Sequence, residues 1–176
     1  MKKFFLFVVY FLFFLNCFFS NDIKLYTVLS QNFIKDEKNI VRYSPLNMFD
    51  DDESTVFAVT FDNNVKKDKP VLTINFSDDE EIDSLSIKAG YFDARFYEKN
   101  FRIRQIRIEL YNSNTKLYDN TFFLKDTQKS QVLSFKKPYS INKVYIYVDE
   151  VYESKKWNDL VISDLAFICN SKIIPV

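Results

Sequence analysis

Three groups of side chains in this sequence have the types and spacing to do chemistry. In the first, residues 43–55, Asp50, Asp51, Asp52 and Glu53 follow Asn47 and precede Ser54 and Thr55. Carboxylate, hydroxyl and carbonyl oxygens are what a hard divalent cation such as calcium takes, and a bound cation relieves the repulsion among clustered acids. The same run also reads as a solvated acidic turn. In the second group, residues 90–104, Tyr91, Tyr97, Asn100 and Arg102 stand in one long segment between two predicted strands. Aromatic faces stack on sugar rings, while Asn and Arg supply the few directed hydrogen bonds that orient a polar ligand. Each has a structural alternative: Arg102 paired with a carboxylate such as Asp159, and Tyr91 or Tyr97 covering the end of the core. The third group, residues 151–165, carries the only tryptophan, Trp157, followed by Asn158 and Asp159. An exposed Trp157 is a sugar platform, and a buried one plugs the edge of the fold.

Composition removes much of the catalytic repertoire. There is no histidine, so Ser-His-Asp and Cys-His nucleophile arrangements and histidine metal sites are excluded. Gly90 is the only glycine, which excludes phosphate-cradling loops that need several glycines for close backbone approach. The 24 basic residues are matched by 24 acidic ones, so there is no basic excess to release counterions from nucleic acid. Carboxylate-only catalysis stays formally open, but no pair of acids is singled out by its spacing.

At the N-terminus Lys2 and Lys3 precede an almost wholly apolar run at 4–15, the pattern of a secretory signal and too short to span a bilayer. The run ends near Phe14-Leu15-Asn16-Cys17, a loose lipobox in which Cys17 is acylated; cleavage after Ser20 is the competing reading. An acylated Cys17 anchors the protein to a membrane without spanning it. Removal of the leader leaves about 160 residues, one domain by length. With Cys17 acylated only Cys169 remains, so no disulfide framework is expected.

The elements that must position these groups read as strands. Apolar and polar residues alternate with a period of two in segments rich in Phe, Tyr, Ile and Val. At 105–110, Ile106, Ile108 and Leu110 are expected to face the core while Gln105, Arg107 and Glu109 face water; at 143–148, Val144, Ile146 and Val148 share one face, with Tyr145 and Tyr147 on the other. Further strands are expected at 56–61, 72–76, 84–89, 121–125, 131–135 and 161–168, with no convincing amphipathic helix. About eight strands make an all-β sandwich or jelly roll. The domain plan is a signal at 1–20, a tether or first strand at 21–40, and the sandwich at 41–170.

Tyr43-x-Pro45-x-Asn47-x-x-Asp50 with Thr55, then Gly90-Tyr91, Tyr97-x-x-Asn100-x-Arg102, Val151-Tyr152, Asp159 and Ile162-Ser163-Asp164 occur in one order. This series resembles the NAD glycohydrolase translocation branch of the discoidin, or coagulation-factor type C, domains, over roughly residues 29–168. The resemblance implies a galactose-binding-like jelly roll and a non-catalytic module associated with host glycan binding and toxin delivery. The module stands alone here, so no NAD-cleaving activity is carried over. The resemblance further implies a structural calcium at Asn47, Asp50, Asp52 and Thr55, with Asp164 as the acid from the last strand. The chain departs from the family pattern at Phe57, where a tryptophan is common, and at Asp62-Asn63-Asn64, which replaces a glycine-rich turn.

The expectation is therefore an exported bacterial module, displayed on the envelope or secreted, that binds carbohydrate through Tyr91, Tyr97, Asn100, Arg102, Trp157 and Asp159. The alternative is an envelope module that uses the same loops to pair with a host or envelope protein. A carboxylate-only hydrolase is the distant third.

Overall fold

The computed structural model describes residues 26–30, 33–52, 54–61 and 69–174. The leader and Cys17 lie outside them. Eight strands form one antiparallel network: β1 (Tyr26–Leu29), β2 (Phe57–Thr60), β3 (Leu72–Ala89), β4 (Arg102–Asn112), β5 (Thr115–Phe123), β6 (Gln131–Tyr152), β7 (Asp159–Cys169) and β8 (Lys172–Ile174). The order is β2-β7-β3-β6-β4-β5, with β1 on β3 and β8 on β7. A 3-10 turn at Pro45–Met48 and a single helical turn, α1 (Ala94–Tyr97), interrupt the loops.

Two long strands turn this network into a sandwich. The first part of β3 pairs with β1 and with the second part of β6, and the second part of β3 pairs with β7 and with the first part of β6. Both strands thus pass from one layer to the other, as strands do at the corners of packed sheets. The corner in β3 is a bulge: Asn75 faces Lys143 and Glu80 faces Ile141, so four residues of β3 oppose one of β6. Asp79 in the bulge accepts from the amides of Asn112 (2.8 Å) and Asn142 (3.1 Å), which ties the corner to the β4–β5 hairpin.

The core lies between the layers. Ile106, Ile108 and Leu110 of β4 and Val144 and Ile146 of β6 are fully enclosed, on the faces that alternation predicts. They meet Leu85, Ile87, Ile162 and Phe167 from the other layer. A smaller cluster of Val56, Ala58 and Val161 lies apart from this core and is covered by Ile34, Tyr43 and Tyr91. That covering brings residues 33–43 and residue 91 together beside one end of the sandwich.

Candidate functional site

The sheet register gathers four connections at that end: residues 33–56, 90–101, 124–130 and 153–158. Arg102 opens β4 opposite Tyr152, the last residue of β6, while Ala89 closes β3 opposite Ile162 near the start of β7. Gly90 makes the exit from β3. Its φ is +99°, and a Cβ there would lie 2.6 Å from Arg102 Cγ and 2.8 Å from a Tyr97 ring carbon. A residue with no side chain is needed on both counts. The Gly90 amide donates to the Val161 carbonyl (2.8 Å), and its carbonyl accepts from the Ser163 hydroxyl (2.6 Å).

Three of the six residues predicted as ligand contacts are turned inward. Arg102, 6% exposed, donates from Nε (3.1 Å) and Nη2 (2.7 Å) to the two oxygens of Asp126, and from Nη1 to the carbonyls of Asn100 (2.9 Å) and Glu153 (2.7 Å). Its carboxylate partner is thus Asp126, from the β5–β6 loop, and not Asp159. Tyr97 donates its hydroxyl to the same Asp126 (2.8 Å), and the Arg102 guanidinium lies over its ring. Asn100, 2% exposed, donates to the Phe96 carbonyl (2.9 Å) and so closes the turn that follows α1. These polar groups tie three connections to one another, leaving little of themselves to face outward. The guanidinium beside it holds the Asp126 carboxyl below the usual range, while burial, and then Asp126, push the Tyr97 hydroxyl upward.

The other three are half-buried and stand at the surface. Tyr91 packs against Phe96 with ring centroids 5.4 Å apart, and Phe96 packs against Trp157 at 6.3 Å, so three rings run in a row. Trp157 is fixed by its amide, which donates to the Lys99 carbonyl (2.8 Å). Burial, and then the neighbouring Tyr43 hydroxyl, push the Tyr91 hydroxyl up to about 12. Burial also raises the Asp159 carboxyl.

Beside this row is a groove of about 480 Å³ whose walls include Asn39, Arg42, Tyr43, Tyr91, Asp93, Arg95 and Phe96. Arg42 and Arg95 flank it, held by Asp36 (2.9 Å) and Asp93 (2.5 Å). Arg42, Tyr43, Arg95 and Phe96 were not singled out in the sequence as ligand contacts. Phe96 and Arg95 belong to the aromatic-rich segment that drew attention, but Arg42 and Tyr43 lie in the stretch read for its acids. Only the pairing of β2 with β7 brings that stretch against Tyr91.

The acidic stretch folds around the 3-10 turn. Asn47 donates its amide to the carbonyls of Arg42 (2.9 Å) and Val56 (3.0 Å), closing the loop on itself. Thr55 Oγ1 lies 2.8 Å from Asp50 Oδ2, 3.0 Å from the Asp52 carbonyl oxygen and 3.4 Å from the Asn47 carbonyl oxygen. A hydroxyl has one proton to donate, so most of these oxygens meet with no hydrogen between them. That donor set has the hard-oxygen chemistry that calcium takes. Asp164 stands across a cleft of about 210 Å³ from Asp50, Asp51 and Asp52, and Lys88 reaches its carboxylate at 3.3 Å. Among the described residues no three acidic or cysteine side chains converge on one point.

A search of curated protein sequences gave no match. Among solved structures the chain is similar to a family 32 carbohydrate-binding module from a family 31 glycoside hydrolase of Clostridium perfringens, with a TM-score of 0.60 at 15% identity, covering 81% of this chain and 92% of that one. It is similar to the family 32 module of C. perfringens NanJ in complex with galactose, at TM-score 0.54 and 13% identity over 82% and 92% of the two chains. The family 32 module of AlyQ in complex with 4,5-unsaturated mannuronic acid aligns at 0.51 and 14% identity over 81% and 93%. These likenesses establish a discoidin-like, galactose-binding-like sandwich. The model of the NAD glycohydrolase translocation F5/8 type C domain matches residues 23–168, and the chain belongs to that family.

Proposed function

We propose that the protein is a non-catalytic carbohydrate-binding module that holds its ligand in the groove between residues 39–56 and 91–96. The observation that carries this reading is the groove itself, where Tyr43, Tyr91 and Phe96 offer ring faces and Asn39, Arg42, Asp93 and Arg95 offer hydrogen-bonding groups. An apolar surface with a few placed polar groups is what binding a sugar requires. Trp157 extends the aromatic row, and Asp159 adds a half-buried carboxylate nearby. Tyr97, Asn100 and Arg102 act in this reading by holding the loops. The galactose and mannuronic acid named with the similar modules agree with a sugar as ligand.

Two further parts belong to the proposal. A calcium ion is held by Asn47, Asp50, Asp52 and Thr55, with Asp164 contributing from across the cleft; it fixes the acidic stretch that forms one wall of the groove. The protein is exported, and Cys17 is acylated at the mature N-terminus, which mass spectrometry of the mature chain tests directly.

The test of function is a glycan-array screen of the full chain with calcium and with chelator. Selective binding is expected, weakened by chelator. Silence from folded protein removes the carbohydrate reading and makes an envelope or host protein the partner to seek.

A further inference from the structure

Beyond the groove, the aromatic row carries a charge pattern of its own. Lys99 Nζ lies 5.3 Å from the centre of the Phe96 ring and 5.9 Å from that of Trp157, and Lys156 Nζ lies 4.6 Å from Trp157. Arg95 lies 5.6 Å from the Phe96 ring. Two acids of the same loops are already matched, Asp93 with Arg95 and Glu98 with Lys155, while the exposed Glu153 makes no ion pair with Lys99 or Lys156. Among the described residues, no ion pair joins Lys99 or Lys156 to a carboxylate. The support beneath is firm, since Lys155 donates its amide to the Glu98 carbonyl and Trp157 donates its own to Lys99, each at 2.8 Å.

From this geometry we infer that the Phe96–Lys99–Trp157 platform selects sugars that carry a carboxylate. The inference rests on the carbohydrate-binding reading and narrows it to a substrate class. A pyranose ring stacked on Phe96 or Trp157 sets a carboxylate at its edge against the Lys99 ammonium, with Lys156 available one ring further along. A neutral sugar gains the stacking alone, whereas a carboxylated one adds a charge-assisted hydrogen bond. Ring stacking and the ammonium act together, because a cation already placed over an aromatic face has lost part of its water.

The only tryptophan in the chain is Trp157, so intrinsic fluorescence reports on this platform. The experiment titrates the full chain with galacturonate, mannuronate and glucuronate oligosaccharides and with sialyllactose, each beside its carboxyl methyl ester, and with neutral galactose oligosaccharides. At least one acidic sugar is expected to change Trp157 emission and to bind about tenfold more tightly than its ester, a difference of one charge-assisted contact. Lys99→Gln is expected to remove that tenfold preference, affinity for the acid falling far more than affinity for its ester, and added salt is expected to reduce it. Equal binding of acid and ester, or binding of neutral sugars alone, overturns the inference and leaves the carbohydrate reading standing. Absence of binding to every sugar here and on the array overturns both.

Discussion

Arg102 shows how one buried charge organises the loop end. Its guanidinium is divided between Asp126 and two backbone carbonyls, and Tyr97 closes the set through the same carboxylate. Arg102→Ala removes the guanidinium donors from two carbonyls and leaves Asp126 with the Tyr97 hydroxyl alone. Asp126 is 36% exposed and retains water, so the cost falls at the low end for broken buried pairs, about 3 kcal/mol in urea denaturation. Asp126 has a folded-state pKa below its unfolded value of about 3.9, so its contribution is present above that value and is lost as pH falls through the folded one. The gap between wild type and Arg102→Ala is therefore expected to be widest at neutral pH and to narrow below about pH 4. Sequence could not assign these side chains, because Arg, Asn and Tyr serve equally as ligand contacts and as loop ties. Asp126 lies 24 residues from Arg102, and only the β4–β5 hairpin brings it back.

At the scale of elements, legibility followed the alternation. In β4 the apolar face was readable because Ile106, Ile108 and Leu110 alternate without a break, whereas Glu109 on the opposite face, expected to meet water, is buried among its partners Arg107, Lys116 and Tyr147. The long strands were not, since each was read as two segments. In β3 the run from Ser77 to Glu81 is polar because it bends around the corner, yet Glu80 and Glu81 still pair with Ile141 and Ser140. The same holds in β6, where Lys136 and Lys137 are exposed before Tyr139 re-enters the register. The β5 strand begins at Thr115, earlier than the expected 121, because its first residues are polar and face water at the sheet edge. Within the 90–101 connection, Gly90 is the position least open to change. Gly90→Ala meets Arg102 and Tyr97 and forces φ +99° on a side-chain-bearing residue. A loss greater than about 1 kcal/mol is expected in thermal or urea denaturation, and an unchanged midpoint would contradict the close approach.

For the whole molecule, the sandwich is a rigid frame that presents connections from both layers at one end. The acidic stretch is the part of that end held chiefly by its own turns, which is where a bound cation adds most. The proposed calcium, at about a hundred times its Kd, is expected to stabilise by about 2.7 kcal/mol. In a chain of this length that corresponds to roughly 5–10 °C in Tm, reversed by chelator and abolished in Asp50→Asn. A Tm indifferent to calcium would remove the ion from the account. The central claim is that the groove beside Tyr91 binds carbohydrate, and the most direct measurement applies wild type, Tyr91→Ala and Phe96→Ala to the glycans that a first array selects, with each variant's folding checked by its Tm. The account predicts selective binding by wild type and at least a tenfold loss in both folded variants, the loss of a stacking contact of about 1.4 kcal/mol or more. A silent array from folded wild-type protein, or binding that survives both substitutions, would contradict it.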